Sequence, residues 1–458
     1  MQVRSMSRIL VSLAALLAIS ATLTAEKARA QAGGVSAGVV ISPDGVLHSQ
    51  VFGDPSGMLH RQRVEAAKAG LPGNVKAFSK LRWISLTRLE KALAARQNAP
   101  TDEMKYLAGL LRIRYVFCYP QSGDVVIGGP AEGWMTDPAG RIIGLTSGRP
   151  VVQLQDLAVA LRAFPPGDSA HGKMIGCSID PTKEGLAAMQ QFLRQVGGQA
   201  TPGDTQYIVT GLKNSLGLQT VSISGVSPKT NFARVMVEAD YRMKLIGIGL
   251  EQPPVRMVSF VQSANPAQIS RNALFRWYFI PDYQCVRTTE DRLGMELVGD
   301  GVKLVGEDEL VSAGGHRSNA GGTSKASQMF TLSFTKHYPE LAERSPVYAE
   351  LRNVIDLSVA AAFIQRENYY HKADWSLPVL GNEESYAVER QPAPRQVESA
   401  VTAIWKGNRL TTPIGGGVQI HPDMALSDQN RLSDESGKVS QLRQGVKIDL
   451  PPGRWWWE

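Results

Sequence analysis

The chain opens on a basic start, Arg4 and Arg8, followed by an uncharged, mostly apolar run from Ile9 to Ala25. Glu26-Lys27-Ala28-Arg29-Ala30 then supplies an A-x-A site. This order predicts a cleaved export signal over residues 1–30, with the cut before Gln31, because Ala28 and Ala30 fit the shallow pockets of a signal peptidase. The run falls short of the about 20 apolar residues that a spanning helix needs. The next apolar stretch, Leu357 to Ile364, is hemmed in by Asp356 and Arg366. No transmembrane segment is therefore expected once the signal is removed.

Val39 to Ile41, the turn Ser42-Pro43-Asp44-Gly45 and Val46 to Phe52 predict a hairpin, since Asp-Gly supplies the positive φ such turns need. The pattern recurs at Ile113–Tyr119 with Val125–Ile127, and at Trp134–Thr136 with Arg141–Leu145 around Asp137-Pro138-Ala139-Gly140. Helices interleave. Thr87-Arg88-Leu89-Glu90 fits a capping box. Thr101-Asp102-Glu103 opens a second helix, Leu154 to Phe164 forms a third, and Lys183 to Val196 a fourth behind the cap Asp180-Pro181. A first domain is expected over 38–200.

Gly198 to Gly203 reads as a linker, and a second domain, 204–425, opens with Tyr207 to Leu212. Arg234 to Ile248 alternates with a period of two. Val235, Val237, Ala239, Tyr241, Met243 and Leu245 fall on one side, and Glu238, Asp240, Arg242 and Lys244 on the other, which predicts a strand. Residues 272–306 give further strands, and Gly314 to Gly322 a loop. Helices are expected over Ser327–Arg344, with a break near Pro339, over Val347–Arg366 and over Arg395–Trp405. Leu426 to Glu458 reads as a polar, flexible tail whose end, Trp455-Trp456-Trp457, either docks or stays free. The fold class expected is α+β, with two domains, each a small, mostly antiparallel sheet with packed helices.

Charge narrows the function classes. The formal net charge of +7 falls to +4 without residues 1–30, and it is spread rather than clustered. No nucleic-acid partner is expected from so thin a basic surface. Cys118, Cys177 and Cys285 are too widely spaced for a disulfide framework or a zinc knuckle. They read as buried small hydrophobes, although one pair is able to bridge in an oxidising compartment. The seven histidines lack ligand spacing, so neither metal nor cofactor is expected.

Few motifs carry chemistry. Gly34-Val35-Ser36-Ala37-Gly38 matches G-x-S-x-G without the preceding strand a nucleophile elbow needs. Ser333-Phe334-Thr335-Lys336 matches S-x-x-K, but no K-T-G follows. Cys177 and Asp180 lie where a strand turns into a helix N-terminus beside Lys183, which is able to acidify a thiol. Thr411 to Val418, with Gly415-Gly416-Gly417, forms either a plain turn or a backbone nest for an anion. Glu238, Asp240, Arg242 and Lys244 present acidic then basic groups about 7 Å apart along the expected strand. They are either a polar ligand site or the solvated side of a half-buried sheet.

The phrases GCSIDPTKEGL (176–186), VEADYRMKLIGIGLE (237–251) and PRQVESAVTAIWKGNRLTTPIGGGV (394–418), together with Asp137–Leu161, resemble an exported planctomycete family known only as domain of unknown function 1598. The resemblance spans about 38–425 and implies an exported envelope or secreted protein, periplasmic or extracellular. It brings no activity or catalytic residues with it. The expected function is a non-catalytic binding or structural component of the cell envelope, with an envelope protein or polymer as partner. The alternative is a hydrolase acting on an envelope polymer or peptide, through carboxylates such as Glu238 and Asp240 or through the Cys177 thiol.

Overall fold

The computed structural model describes residues 36–42, 44–54, 56–167, 173–197, 201–265, 273–402 and 414–458. The expected export signal, Gly34 and Val35 of the G-x-S-x-G match and Thr411–Pro413 lie outside them. The strands, in chain order, are β1 Ser36–Ile41, β2 Val46–Phe52, β3 Ser79–Ser85, β4 Tyr115–Tyr119, β5 Asp124–Ala131, β6 Trp134–Thr136, β7 Ile142–Gly144, β8 Ile175–Asp180, β9 Leu218–Ser224, β10 Ala273–Pro281, β11 Val286–Thr288, β12 Gly294–Leu297, β13 Val302–Val311, β14 Arg317–Asn319, β15 Gln396–Glu398, β16 Ile414–Ile420, β17 Leu432–Ser433 and β18 Trp456–Trp457. The helices of eight residues or more are α1 Met58–Gly70, α2 Leu86–Ala94, α3 Leu154–Ala163, α4 Lys183–Val196, α5 Thr205–Leu216, α6 Asn231–Gly247, α7 Lys325–Arg344, α8 Pro346–Arg366 and α9 Lys438–Gly445.

The class is α+β. One sheet has nine strands in the order β1-β2-β15-β9-β8-β16-β10-β13-β14, and a second has seven in the order β17-β11-β12-β4-β5-β3-β18. Most neighbours are antiparallel; β10–β16, β15–β2 and β11–β17 run parallel. Strands from before residue 198 and after residue 203 share both sheets.

Pleating sorts the side chains of β10. Phe275, Trp277 and Phe279 join the main core, which includes α6, α7 and α8, while Leu274 joins Leu186, Met189, Ile208 and Leu212 of α4 and α5. The second sheet does likewise. Ile84, Val116 and Ile127 face the main core, whereas Trp83, Phe117 and Val126 meet Val439 of α9. Helix α8 is apolar on nearly every side and buried along almost its whole length, as a helix in the middle of a large core must be.

The predicted hairpins form as read, with Ile41 opposite Leu47 and Gly45 at φ +87°. Six expectations are corrected. Arg234–Ile248 is not a strand but the bulk of α6, because both sides of its apparent alternation are buried. Residues 395–402 hold the short strand β15 rather than a helix. The glycine triplet 415–417 lies inside β16, not in a turn. The caps are Ser85 for α2, accepting from Arg88 N, rather than Thr87, and Thr182 for α4, accepting from Gly185 N, rather than Asp180. Helix α7 runs through Pro339 without ending. Leu426–Glu458, expected as a polar tail, supplies α9, β17 and β18, and Trp455 and Trp456 are buried against β3.

Candidate functional site

The residues singled out in the sequence do not form a solvent-facing ladder. Glu238, Asp240, Arg242 and Lys244 are all buried on α6. A helix places residues four apart on one side, so they separate into two pairs. Lys244 Nζ meets Asp240 Oδ2 at 2.8 Å and donates to Ile179 O at 3.2 Å. Burial pushes the Asp240 carboxyl up to about 6, although Lys244 pulls it the other way. Arg242 lies 3.7 Å from Glu238 and donates to Glu251 at 2.7 Å. Cys177, on β8, is buried, and burial raises its thiol pKa far above the ordinary value. A reactive thiolate is therefore disfavoured despite the nearby helix start. Asp180 ends the same strand, paired with Arg276 at 3.0 Å and Arg317 at 3.3 Å. These contacts are those of structural ion pairs.

Glu238 also leads to a different site. It shares Arg141 with Glu350 of α8; Arg141 Nε donates to Glu350 Oε2 at 2.9 Å. Arg141 is aimed by the turn between β6 and β7. There Asp137 Oδ1 accepts from Ala139 N and Arg141 N, both at 2.8 Å, and Gly140 takes φ +81°. Asn231, Arg234 and Glu238 make one stripe of α6, three and four residues apart. Opposite them stand Glu350 and Asn353, one turn apart on α8, and Gln153, Gln155 and Asp156 at the start of α3.

A cleft of about 470 Å³ opens at this junction, lined by Arg141, Gln153, Gln155, Arg234 and Glu350, with Tyr106 and Tyr386 among its walls. Behind it, sharing Gln153 and Glu350, lies a void of about 10 Å³ that also touches Asp156, Asn231 and Asn353. That is room for about one water-sized group. Asn231 Nδ2 donates to Asp156 Oδ2 at 2.9 Å, and Arg234 Nη2 donates to Asn231 Oδ1 at 2.9 Å. Among the described residues Asp156 Oδ1, Asn353 Oδ1, Gln155 Oε1 and Arg234 Nε are buried without a hydrogen-bond partner. Buried polar groups without partners are costly, so four at one junction single it out as the candidate site. Burial pushes the Asp156 carboxyl up to about 7; Asn231 and Arg234 oppose this, and Glu350 reinforces it. Burial raises Glu350 as well, against the pull of Arg141.

Two other clefts are nearly as large, at about 460 and 450 Å³, but neither is lined by any of the unpartnered buried atoms, and Arg88 in one pairs with Asp124 and Arg162 in the other with Glu383. Among the described residues no group of three or more His, Cys, Asp or Glu side chains is placed to hold a metal ion. The sequence did carry a signal for the junction. Asp156 interrupts the apolar run of α3, and Glu350 and Asn353 interrupt that of α8.

Compared with known proteins, residues 177–260 match a family described as protein of unknown function (DUF1598). The matched segment runs from β8 through α6. It therefore contains Arg234 of the cleft, Asn231 of the void and Glu238 on the same stripe of α6, but not Arg141, Asp156, Glu350 or Asn353. No curated protein and no solved structure matches the chain.

Proposed function

We propose that this is an exported binding protein that holds a polar ligand of the cell envelope in the cleft between α3, α6 and α8. The observation that carries the reading is the set of buried, unpartnered polar atoms at the cleft, on Gln155, Arg234, Asp156 and Asn353. A ligand that completes these hydrogen bonds offsets the cost of burying those atoms. Export is supported by the basic start, apolar run and A-x-A site of residues 1–30, and by the resemblance to an exported planctomycete family. Among the described residues no helix is long and apolar enough to cross a membrane.

A second reading, a hydrolase acting on an envelope polymer or peptide, is favoured by one observation. Burial pushes the Asp156 carboxyl up to about 7, which places it in the range of a general acid near neutral pH, and it raises the neighbouring Glu350 in the same direction.

A photo-crosslinking residue at Gln391, on the cleft rim, tests the binding reading in the native cell. The expected result is a recurrent envelope-derived adduct, absent when the same residue replaces the exposed Tyr207 on α5. Equal labelling at both positions, or none at Gln391, overturns the reading. Adducts that are cleaved fragments of a polymer favour the hydrolase.

A further inference from the structure

Resting on the cleft reading, we infer that the ligand is zwitterionic: a primary ammonium group fills the void beside Asp156, Glu350 and Asn353, and a carboxylate meets Arg234 in the cleft. The orphaned atoms have a polarity, and that polarity selects the guest. With the Asp156 carboxyl ionised, as a cation beside it favours, Asp156 and Asn353, both more than nine-tenths buried, leave only acceptor oxygens open. Asn353 Nδ2 already donates to Leu111 O at 3.2 Å, which fixes the amide so that its oxygen is the free atom. Asp156 Oδ2 is occupied by Asn231, which leaves Oδ1 open. A guest in this void must bring donors. An ammonium brings three and no acceptor, whereas a hydroxyl brings one donor and further lone pairs that need partners of their own.

Charge points the same way. Arg141 is one cation set between two carboxylates, Glu238 and Glu350. The side chain that hydrogen-bonds Asp156 is the neutral Asn231 amide, and the Phe232 N–H also favours its ionised form. Burial is the main cause of the upward shift of Asp156 and Glu350, and a further cation at the inner end is what would favour their ionised forms. An ammonium supplies it.

The cleft wall has the opposite need. Arg234 Nε is an unpartnered buried donor on a guanidinium, the group best suited to a carboxylate. Arg234 and Asp156 are already joined through one side-chain amide, that of Asn231, by two hydrogen bonds. An amino acid with its own two end contacts is a bridge of similar length. Gln155 Oε1, in the same wall, is open to a remaining N–H of the ligand.

Calorimetric titration of the full chain near neutral pH, with alanine, alanyl-alanine, ethylamine, propionate and glucose as probes, tests this. Alanine or alanyl-alanine is expected to bind at least about tenfold more tightly than ethylamine, propionate or glucose. Preference for alanine indicates a free amino acid; preference for alanyl-alanine indicates a peptide with separated ends. Arg234→Gln should abolish the advantage over ethylamine, and Asp156→Asn the advantage over propionate. The wild-type panel decides by itself, so a variant that fails to fold does not shelter the inference. Glucose binding best, ethylamine equalling both zwitterions, or no probe binding overturns it. If the Gln391 crosslink still forms in those cases, cleft binding stands and only the ligand class falls; if it too is lost, both fall.

Discussion

Asp240 and Lys244 are almost completely buried, and each depends on the other. Taking both charges out of water is costly, and their attraction repays this only while both are present. Lys244→Met should destabilise the protein by about 3–5 kcal/mol, because it leaves an uncompensated carboxylate. The double variant Asp240→Leu, Lys244→Met should recover much of that loss, which urea melts of the two proteins will show. Reversing these charges would thus report on folding, not on a binding surface. Asp156 makes a different prediction. Its folded pKa, about 7, lies above the ordinary value of 3.8. The folded state therefore holds its proton more tightly than the unfolded chain. The associated stability is fully present below pH 3.8 and is lost as pH rises through 7. The loss is on the order of 4 kcal/mol. Asp156→Asn has no such proton, so its melting temperature should fall less than that of the wild type across this range. Equal slopes would mean that Asp156 titrates normally.

At the scale of elements, the glycines of β16 show what local sequence conceals. The strand lies between β8 and β10 in the middle of the nine-stranded sheet. Gly416 has φ +133°, and a Cβ there would lie 1.9 Å from Trp277 O; one on Gly417 would lie 1.9 Å from Cys177 O. Glycine is needed because neighbouring backbones come this close, a fact that depends on strands more than a hundred residues away. Gly416→Ala should therefore cost more than the about 1 kcal/mol of an ordinary helix-interior glycine change. The expected readout is a large drop in melting temperature, or loss of soluble protein. Hairpins were legible because the Asp44-Gly45 turn and its flanking strands are adjacent in sequence. Helix α6 was not, because it is buried all round, and burial removes the 3.6-residue polar stripe that marks a surface helix. One signal remained in it: Glu238 precedes Arg242, and Asp240 precedes Lys244, by four residues with the acid first, the favourable helical order. Read at a spacing of four rather than two, the same residues predict the helix that is found.

For the whole molecule, the sheets determine what can unfold alone. β8 precedes the 198–203 segment, yet it is paired with β9 and β16, which follow it. β4 likewise pairs with β12, more than 170 residues later, and β3 with β18 at the far end of the chain. Such pairings were not legible from spacing, since nothing in a strand's own residues names a partner so distant. The cleft was hidden for the same reason: Asp156, Arg234 and Glu350 meet only when three helices from separate stretches of chain assemble. Buried ion pairs add to this interlocking, as with Arg112 and Asp356, 2.7 Å apart across 244 residues of sequence. Dividing the chain near residue 200 breaks both pairings of β8 in the nine-stranded sheet and the β4–β12 pairing in the seven-stranded one. We therefore expect one cooperative unfolding transition. Trp83 and Trp456 report on the seven-stranded sheet, and Trp277 on the nine-stranded one. Denaturant curves for wild type, Trp83→Phe and Trp277→Phe, followed by tryptophan fluorescence and by far-UV circular dichroism, should superimpose after allowance for a change in midpoint. Two separated transitions, each lost with a different tryptophan, would show instead that the sheets melt as independent units despite their shared core.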